Sequence, residues 1–243
     1  MTRARTAGDV VRTFLRGLGQ TMITLGVVVL LFCVYELQVT GLVTARAQDQ
    51  ANAQLDRTWS EAPRQVVPGQ TTPSPGASPA PASVTPIRGD AFARLHVPAL
   101  EGYEPKALFE GVSTAVLKKG PGHIPGTALP GEVGNVVLSG HRTTYGSPFN
   151  RWAELRVGDE VVLETRDGWF TYRITGSKVV APTAVEVTYA VPGDRRATPT
   201  RRLLTMTTCN PKYSAKERLI VSAELSASSK KSDGLPAALA GRG

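Results

Sequence analysis

Four textures follow one another along the 243 residues, and each change of hydrophobic pattern marks a change of element. The run Gly17 to Tyr35 (GLGQTMITLGVVVLLFCVY) is uncharged and apolar all round, about the length at which a helix crosses the hydrocarbon core of a bilayer. Residues 47–59 (AQDQANAQLDRTW) read as a short polar helix. Ala62 to Pro86 is dominated by Pro, Ser, Thr, Ala and Gly, too poor in large apolar groups to offset the entropy of ordering. From about Asp90 to Leu225, short β-prone runs alternate with Gly/Pro turns. Phe92 to Val97 alternates apolar and polar, Asn135 to Leu138 is a short buried-type run, and Leu203 to Thr208 and Arg218 to Ala223 are further strand candidates. Val161 to Thr165 and Trp169 to Ile174 flank Asp167-Gly168, a strong hairpin signal. Strands at this spacing, with no long amphipathic helix among them, predict a closed or sandwiched all-β domain.

These textures divide the chain into a basic N-terminus (1–16), a transmembrane anchor (17–37), a Pro/Ser/Ala-rich linker (38–89), a catalytic β domain (90–225) and a disordered tail (226–243). Arg3, Arg5, Arg12 and Arg16 precede the span against the single acid Asp9, whereas beyond it Glu36 comes first and no basic residue appears before Arg46. The positive-inside rule therefore keeps the N-terminus in the cytoplasm and places the rest outside, as a single-pass membrane protein. A cleaved signal peptide is the competing reading, because Ala45-Arg46-Ala47 has the small-x-small pattern; the apolar run, however, is longer than a signal core and ends well before it. A proline-rich spacer is extended and semi-rigid, so the linker is expected to hold the β domain off the membrane.

Charge narrows the partners. The net charge of +8 suits an anionic surface, but zinc-ligand spacing, a phosphate-cradling glycine loop and a basic helix interleaved with aromatics are all missing from the sequence, which argues against nucleic acid, metal and cofactor. Membrane or cell-wall chemistry is left.

Of the two cysteines, Cys33 lies in the apolar span and Cys209 far along the polar domain, so they do not pair. An unpaired thiol outside the cell is a liability unless its chemistry is used. Cys209 ends a β-prone run that Asn210-Pro211 stops, which exposes the thiol at a strand mouth; a buried small hydrophobe is the bland alternative. His141 follows Ser139-Gly140 at the end of another strand, and a surface histidine is the alternative there. Arg218 opens the last strand, nine positions after the cysteine, where a solvated charge is the ordinary reading. If the two last strands are antiparallel neighbours, Cys209 and Arg218 meet at one end of the sheet. Together, thiol, imidazole and guanidinium suffice for acyl transfer: nucleophile, proton carrier and oxyanion partner.

GPGHIPGTALPGEVGNVVLSGHR and LLTMTTCNPKYSAKERLIV, with LHVPAL and FEGV upstream, resemble the sortase family over residues 90–225. The resemblance implies an eight-stranded sortase-type β-barrel with short helices, and His141, Cys209 and Arg218 as catalytic residues. It also implies cleavage of a sorting signal between Thr and Gly, then joining of the surface protein to a cell-wall amine of a peptidoglycan precursor or pilin. The wording SGHRTTYG and TTCNPKYS, with the anchor and spacer, is most similar to class E sortases of actinobacteria, associated with Leu-Ala-x-Thr-Gly in place of Leu-Pro-x-Thr-Gly. One departure is Met206, which stands where the family has leucine. Thr208 and Tyr145 are substrate-groove candidates by position and resemblance, or equally packing residues. His96 and His123 match no catalytic position and read as structural, and Arg195-Arg196 and Arg201-Arg202 are candidates to meet an anionic wall precursor or simply solvated charge. Two rival readings are an L,D-transpeptidase, which places histidine and cysteine close together in sequence, and a catalytically silent wall-binding module on the same fold.

Overall fold

The computed structural model describes residues 7–35, 40–61 and 86–240. Its elements, in chain order, are α1 (Ala7–Val34), α2 (Thr40–Glu61), β1 (Ala91–His96), β2 (Lys106–Glu110), α3 (Thr114–Leu117), β3 (Gly122–His123), β4 (Gly134–Ser139), β5 (Glu160–Glu164), β6 (Gly168–Val180), β7 (Arg202–Asn210), β8 (Glu217–Lys230) and α4 (Ala237–Ala240). Eight strands close a barrel in the order β1-β2-β3-β4-β7-β8-β6-β5. The expected all-β barrel is therefore what the chain forms, and β5 and β6 are the antiparallel hairpin that Asp167-Gly168 announced.

Period-two alternation fills the barrel. Ala93 and Leu95, Val136 and Leu138, Val161 and Leu163, Phe170 and Tyr172, and Leu204 and Met206 share one buried cluster, each pair two residues apart and hence on one face of its strand. Met206 is fully buried among them, so the departure from leucine is an exchange of flexible core filler that leaves the strand's outer face untouched. Phe149 and Trp152, stacked at 4.1 Å, lie in the same core.

Direction matters for function. β4 and β7 run parallel and end at the same rim, and β8, antiparallel to β7, begins there. The opposite end carries the β5–β6 turn and the end of β8.

Residues 40–61, expected to belong to the linker apart from a short helix, form the whole of α2, which packs along the outside of β1 and β2. Thr44, Gln48, Ala51 and Leu55 are its buried residues, a stripe at helical spacing. Ala51 and Leu55 meet Ala107, Phe109 and Val116 in a second cluster, with Trp59 against it. Gln48 explains why a polar helix docks here. β3 is only two residues long and pairs with β2 at Phe109 and Glu110, leaving the β2 edge open at Ala107. The Gln48 amide stands in for the missing strand: Oε1 accepts from the Ala107 N–H at 2.8 Å, and Nε2 donates to the Ala107 carbonyl at 3.2 Å and the Lys119 carbonyl at 2.9 Å.

The stretch expected as a disordered tail also begins as structure. β8 continues to Lys230 because β6 starts opposite its end, with Gly168 facing Lys230. A 3-10 turn at Lys231–Asp233 and α4 follow. Lys231 forms an ion pair with buried Glu164 and lies over the rings of Trp59 (4.7 Å) and Trp169 (4.1 Å). Burial by itself would raise the Glu164 pKa, but hydrogen bonds from His96 and Lys231 outweigh it and hold the carboxyl below its ordinary range. Arg94 completes this clamp by donating to Asn52 and pairing with Asp56 at 2.6 Å, both on α2.

Replacing Gln48 by Leu should lower the unfolding free energy by about 1–3 kcal/mol, because it strands buried backbone groups. The change is read as a lower urea midpoint at unchanged slope. The exposed neighbour change Gln50→Leu should cost less than about 0.5 kcal/mol, and equal losses at the two positions would contradict the strand-substitute role.

Candidate active site

Backbone register brings the sequence-predicted residues to one rim. On β7 and β8, Cys209 and Arg218 are directly opposite partners, which puts their side chains on one face with Cβ atoms roughly 5 Å apart. On β4 and β7, Ser139 faces Thr207, so the chain leaves β4 two residues before His141 and β7 reaches Cys209 two residues after the same level. Both Cys209 and His141 are half-buried at the barrel mouth.

His141 is bracketed by ties to β7. Before it, the Gly140 N–H donates to the Thr207 carbonyl at 3.2 Å, and the Thr208 hydroxyl donates to the Gly140 carbonyl at 2.7 Å. After it, Arg142 Nη1 donates to the Cys209 carbonyl at 3.1 Å and to Asn210 Oδ1 at 2.5 Å. Asn210 in turn donates to Glu217 at 3.0 Å, so the tie extends to the start of β8. Gly140 has to be glycine because a Cβ there would come within 2.9 Å of the Phe149 ring.

The loop beyond His141 folds back on it. Tyr145 has positive φ (51°), and its ring lies 5.0 Å from the imidazole. Lys118 Nζ sits 5.3 Å from the Tyr145 ring. The next residue is a glycine with φ of 70°, where a Cβ would lie 3.1 Å from Thr44 of α2. Burial first, and the Lys118 ammonium second, hold the His141 imidazole below the ordinary histidine range. Its Nε2 is buried and has no hydrogen-bond partner among the described residues; such an atom is costly unless it is used.

Not every sequence candidate sits in the groove. Thr208 shares the inward face of Leu204 and Met206 and is buried at 2% exposure, its hydroxyl engaged by Gly140. It braces the histidine loop from inside, and the expectation of a groove residue is corrected. The outward face of β7 carries Thr205, Thr207 and Cys209 instead. Arg218 Nη1 donates to the carbonyls of Ala215 and Glu217. Of the four arginines considered for an anionic precursor, Arg201 pairs with Glu224, and Arg202 donates to the Gly131 carbonyl at 2.8 Å. His123 is hydrogen-bonded to Glu110 at 2.6 Å and His96 to Glu164 at 2.7 Å, each engaged with a carboxylate outside the Cys209, His141 and Arg218 set.

Two positioning features escaped the sequence. Arg142 follows the histidine directly but reads as a surface charge until its burial at 7% exposure is seen. Asn135 is buried on β4: its amide donates to the carbonyls of Val187 and Tyr189 at 3.1 and 3.0 Å and accepts from Thr205 at 2.9 Å. It pins the β6–β7 connection over the outer face of β7. Beneath that connection is a cavity of about 330 Å³ lined by Ala190, Pro192, Thr198, Leu203 and Thr205 among others. No cluster of metal-ligating side chains occurs among the described residues.

Residues 95–226, which hold the parallel β4–β7 pair and the Cys209–Arg218 register pair, match the sortase domain family. The chain belongs to the sortase family. Among curated relatives it is similar to Sortase SrtE1 of Streptomyces coelicolor, 35% identical over 245 aligned positions covering 98% of this chain and 64% of that protein. Sortase SrtE2 of the same organism is 29% identical, covering 86% of this chain and 80% of the relative. The chain thus spans just under two thirds of the length of SrtE1. Among solved structures, sortase E from Streptomyces avermitilis is 44% identical with TM-score 0.57, covering 63% of this chain and 99% of that one. The SrtF sortase from Corynebacterium diphtheriae is 32% identical with TM-score 0.62, covering 68% and 98%.

Lys118 offers a test of the electrostatics at the sortase rim. Removing its charge relieves repulsion of the imidazolium, so Lys118→Gln should raise the His141 pKa. NMR titration of the imidazole in a Cys209→Ala background reads the shift without coupling to the thiol; an unchanged or lower value would contradict the assignment.

Proposed function

We propose that the chain is a membrane-anchored cysteine transpeptidase that cleaves a C-terminal sorting signal of Leu-Ala-x-Thr-Gly or Leu-Pro-x-Thr-Gly type between Thr and Gly and joins the new carboxyl to a cell-wall amine. The observation that carries this reading is the register placing Arg218 opposite Cys209 while the bracketed His141 emerges beside them. Cys209 sulfur, as thiolate, attacks the threonyl carbonyl carbon, and the carbonyl oxygen becomes an oxyanion that Arg218 stabilises. Collapse breaks the Thr–Gly bond, and the departing glycyl amine takes a proton from His141. An acceptor amine then attacks the thioester, gives a proton to the now neutral imidazole and releases Cys209 as the thiolate. The unpartnered Nε2 supports the proton-carrying role, and Tyr145, tilted at 45° beside the imidazole, limits where substrate lies.

Peptide length supports the substrate class. An extended peptide advances about 3.3 Å per residue, so a signal with its threonine at Cys209 reaches roughly 10 Å further at its leucine. Thr205, four residues before Cys209 on the same outward face, opens on the cavity under the Asn135-pinned connection. The structure of Sortase E1 from Streptomyces coelicolor with a tripeptide in its active site is a similar chain, at 35% identity and TM-score 0.58. Resemblance to class E favours the Ala signal.

α1 supports the proposed membrane location. It holds one stretch, Val11–Val34, long and apolar enough to cross a membrane, and Arg3, Arg5, Arg12 and Arg16, ahead of the uncharged run that starts at Gly17, favour a β domain outside the cell.

Fluorogenic Leu-Ala-x-Thr-Gly and Leu-Pro-x-Thr-Gly peptides, each with and without an amine acceptor, test the proposal. The Ala peptide should turn over faster, and acceptor should divert product from hydrolysis to ligation. Cys209→Ala should abolish turnover, and Arg218→Ala should lower kcat by about 100-fold or more. Turnover that survives Cys209→Ala would refute the mechanism, and faster turnover of the Pro peptide would refute the signal preference.

A further inference from the structure

We infer that the rim carrying Cys209 faces the bilayer at close range, and that the proline-rich segment is not the spacer between membrane and enzyme. The inference rests on the membrane-span reading above. Its basis is where α2 begins and ends. Thr44, in the second turn of α2, lies against Gly146 of the loop that begins at His141, and its hydroxyl donates to the Lys118 carbonyl at 2.8 Å. From this rim α2 descends the barrel wall, through Gln48 at Ala107 and Asn52 at Arg94, to Trp59. Trp59 lies beside Lys231, at the end where β8 finishes. Its 22 residues cover about 33 Å.

The order of attachment follows. Only residues 36–39 separate Tyr35, at the end of the apolar helix, from Thr40, and a connection of that length reaches at most about 18 Å. The barrel is thus tethered at its active rim. Residues 62–85 join the foot of α2 to Arg88, which bridges Glu110 at the end of β2. Because α2 is already docked along the barrel wall before this segment begins, the length of the proline-rich segment does not set the height of the enzyme above the membrane.

The rim carries groups suited to a lipid surface. Leu42 and Val43, at the start of α2, are 61% and 60% exposed. Tyr213, in the β7–β8 loop directly after Cys209, is 82% exposed and held at positive φ between Lys212 and Lys216. Exposed apolar residues, a tyrosine and lysines at one edge are the side chains that settle among headgroups, the cations drawn to anionic lipid.

The test uses the full chain with Cys33→Ser and Cys209→Ala, carrying a single fluorophore-labelled cysteine at Tyr213, Val43 or Ser228, in phosphatidylglycerol-containing vesicles with a headgroup quencher. Labels at Tyr213→Cys and Val43→Cys should be strongly quenched and the label at Ser228→Cys, at the far end, should not. Deleting residues 64–84 should leave this pattern unchanged, whereas a proline-rich insertion between Gln38 and Val39 should relieve the quenching at the rim. Chains that float with the vesicles but show equal quenching at both ends, or stronger quenching at Ser228, overturn the rim orientation alone. Chains that fail to float overturn the membrane span and the orientation with it.

Discussion

The parallel pairing of β4 with β7 is the constraint on which the rest depends. Neither His141 nor Cys209 has a reason to meet the other in sequence, since nearly seventy residues separate them. Pairing Ser139 with Thr207 brings both strands to the rim in step, and four hydrogen bonds, two on either side of His141, then fix its loop to the cysteine strand. The antiparallel β7–β8 pair adds Arg218 by register alone. Because the positions come from backbone ladders, the constellation is held by the most cooperative part of the fold, and side-chain packing has only to orient the rings.

The second organising feature is α2, which behaves as a ninth edge element. Gln48 completes the open stretch of β2, Thr44 supports the histidine loop, and Arg94, Glu164, Trp59 and Lys231 lock the far end. One helix therefore connects the active rim and the foot of the barrel. A catalytic fragment that begins after residue 61 would lose the partner of Ala107 and the contact at Gly146 together.

Strands with alternating or β-branched texture were legible in the sequence, as were the hairpin at Asp167-Gly168 and the placement of cysteine, histidine and arginine at strand mouths. The long α2 was not, because its buried stripe is Thr, Gln, Ala and Leu, and a glutamine serving as a surrogate strand looks like a surface residue. The extension of β8 was missed because Ser226 to Lys230 is polar, and its order comes from pairing with β6 rather than from burial. Thr208 was misplaced for a similar reason: beside a nucleophile it suggests the groove, but alternation turns it inward. Arg142 and Asn135 carry their roles through buried hydrogen bonds, which leave no periodic trace.

The central claim is that cross-strand ties hold the imidazole where it governs the thiol. The rate of Cys209 alkylation by iodoacetamide as a function of pH, in a Cys33→Ser background, tests it most directly across the parent chain, His141→Ala, Arg142→Met and Arg142→Lys. The account predicts that His141→Ala removes the fast reaction near neutral pH, that Arg142→Met reproduces much of that loss, and that Arg142→Lys recovers part of it. Superimposable profiles from all four proteins would contradict it.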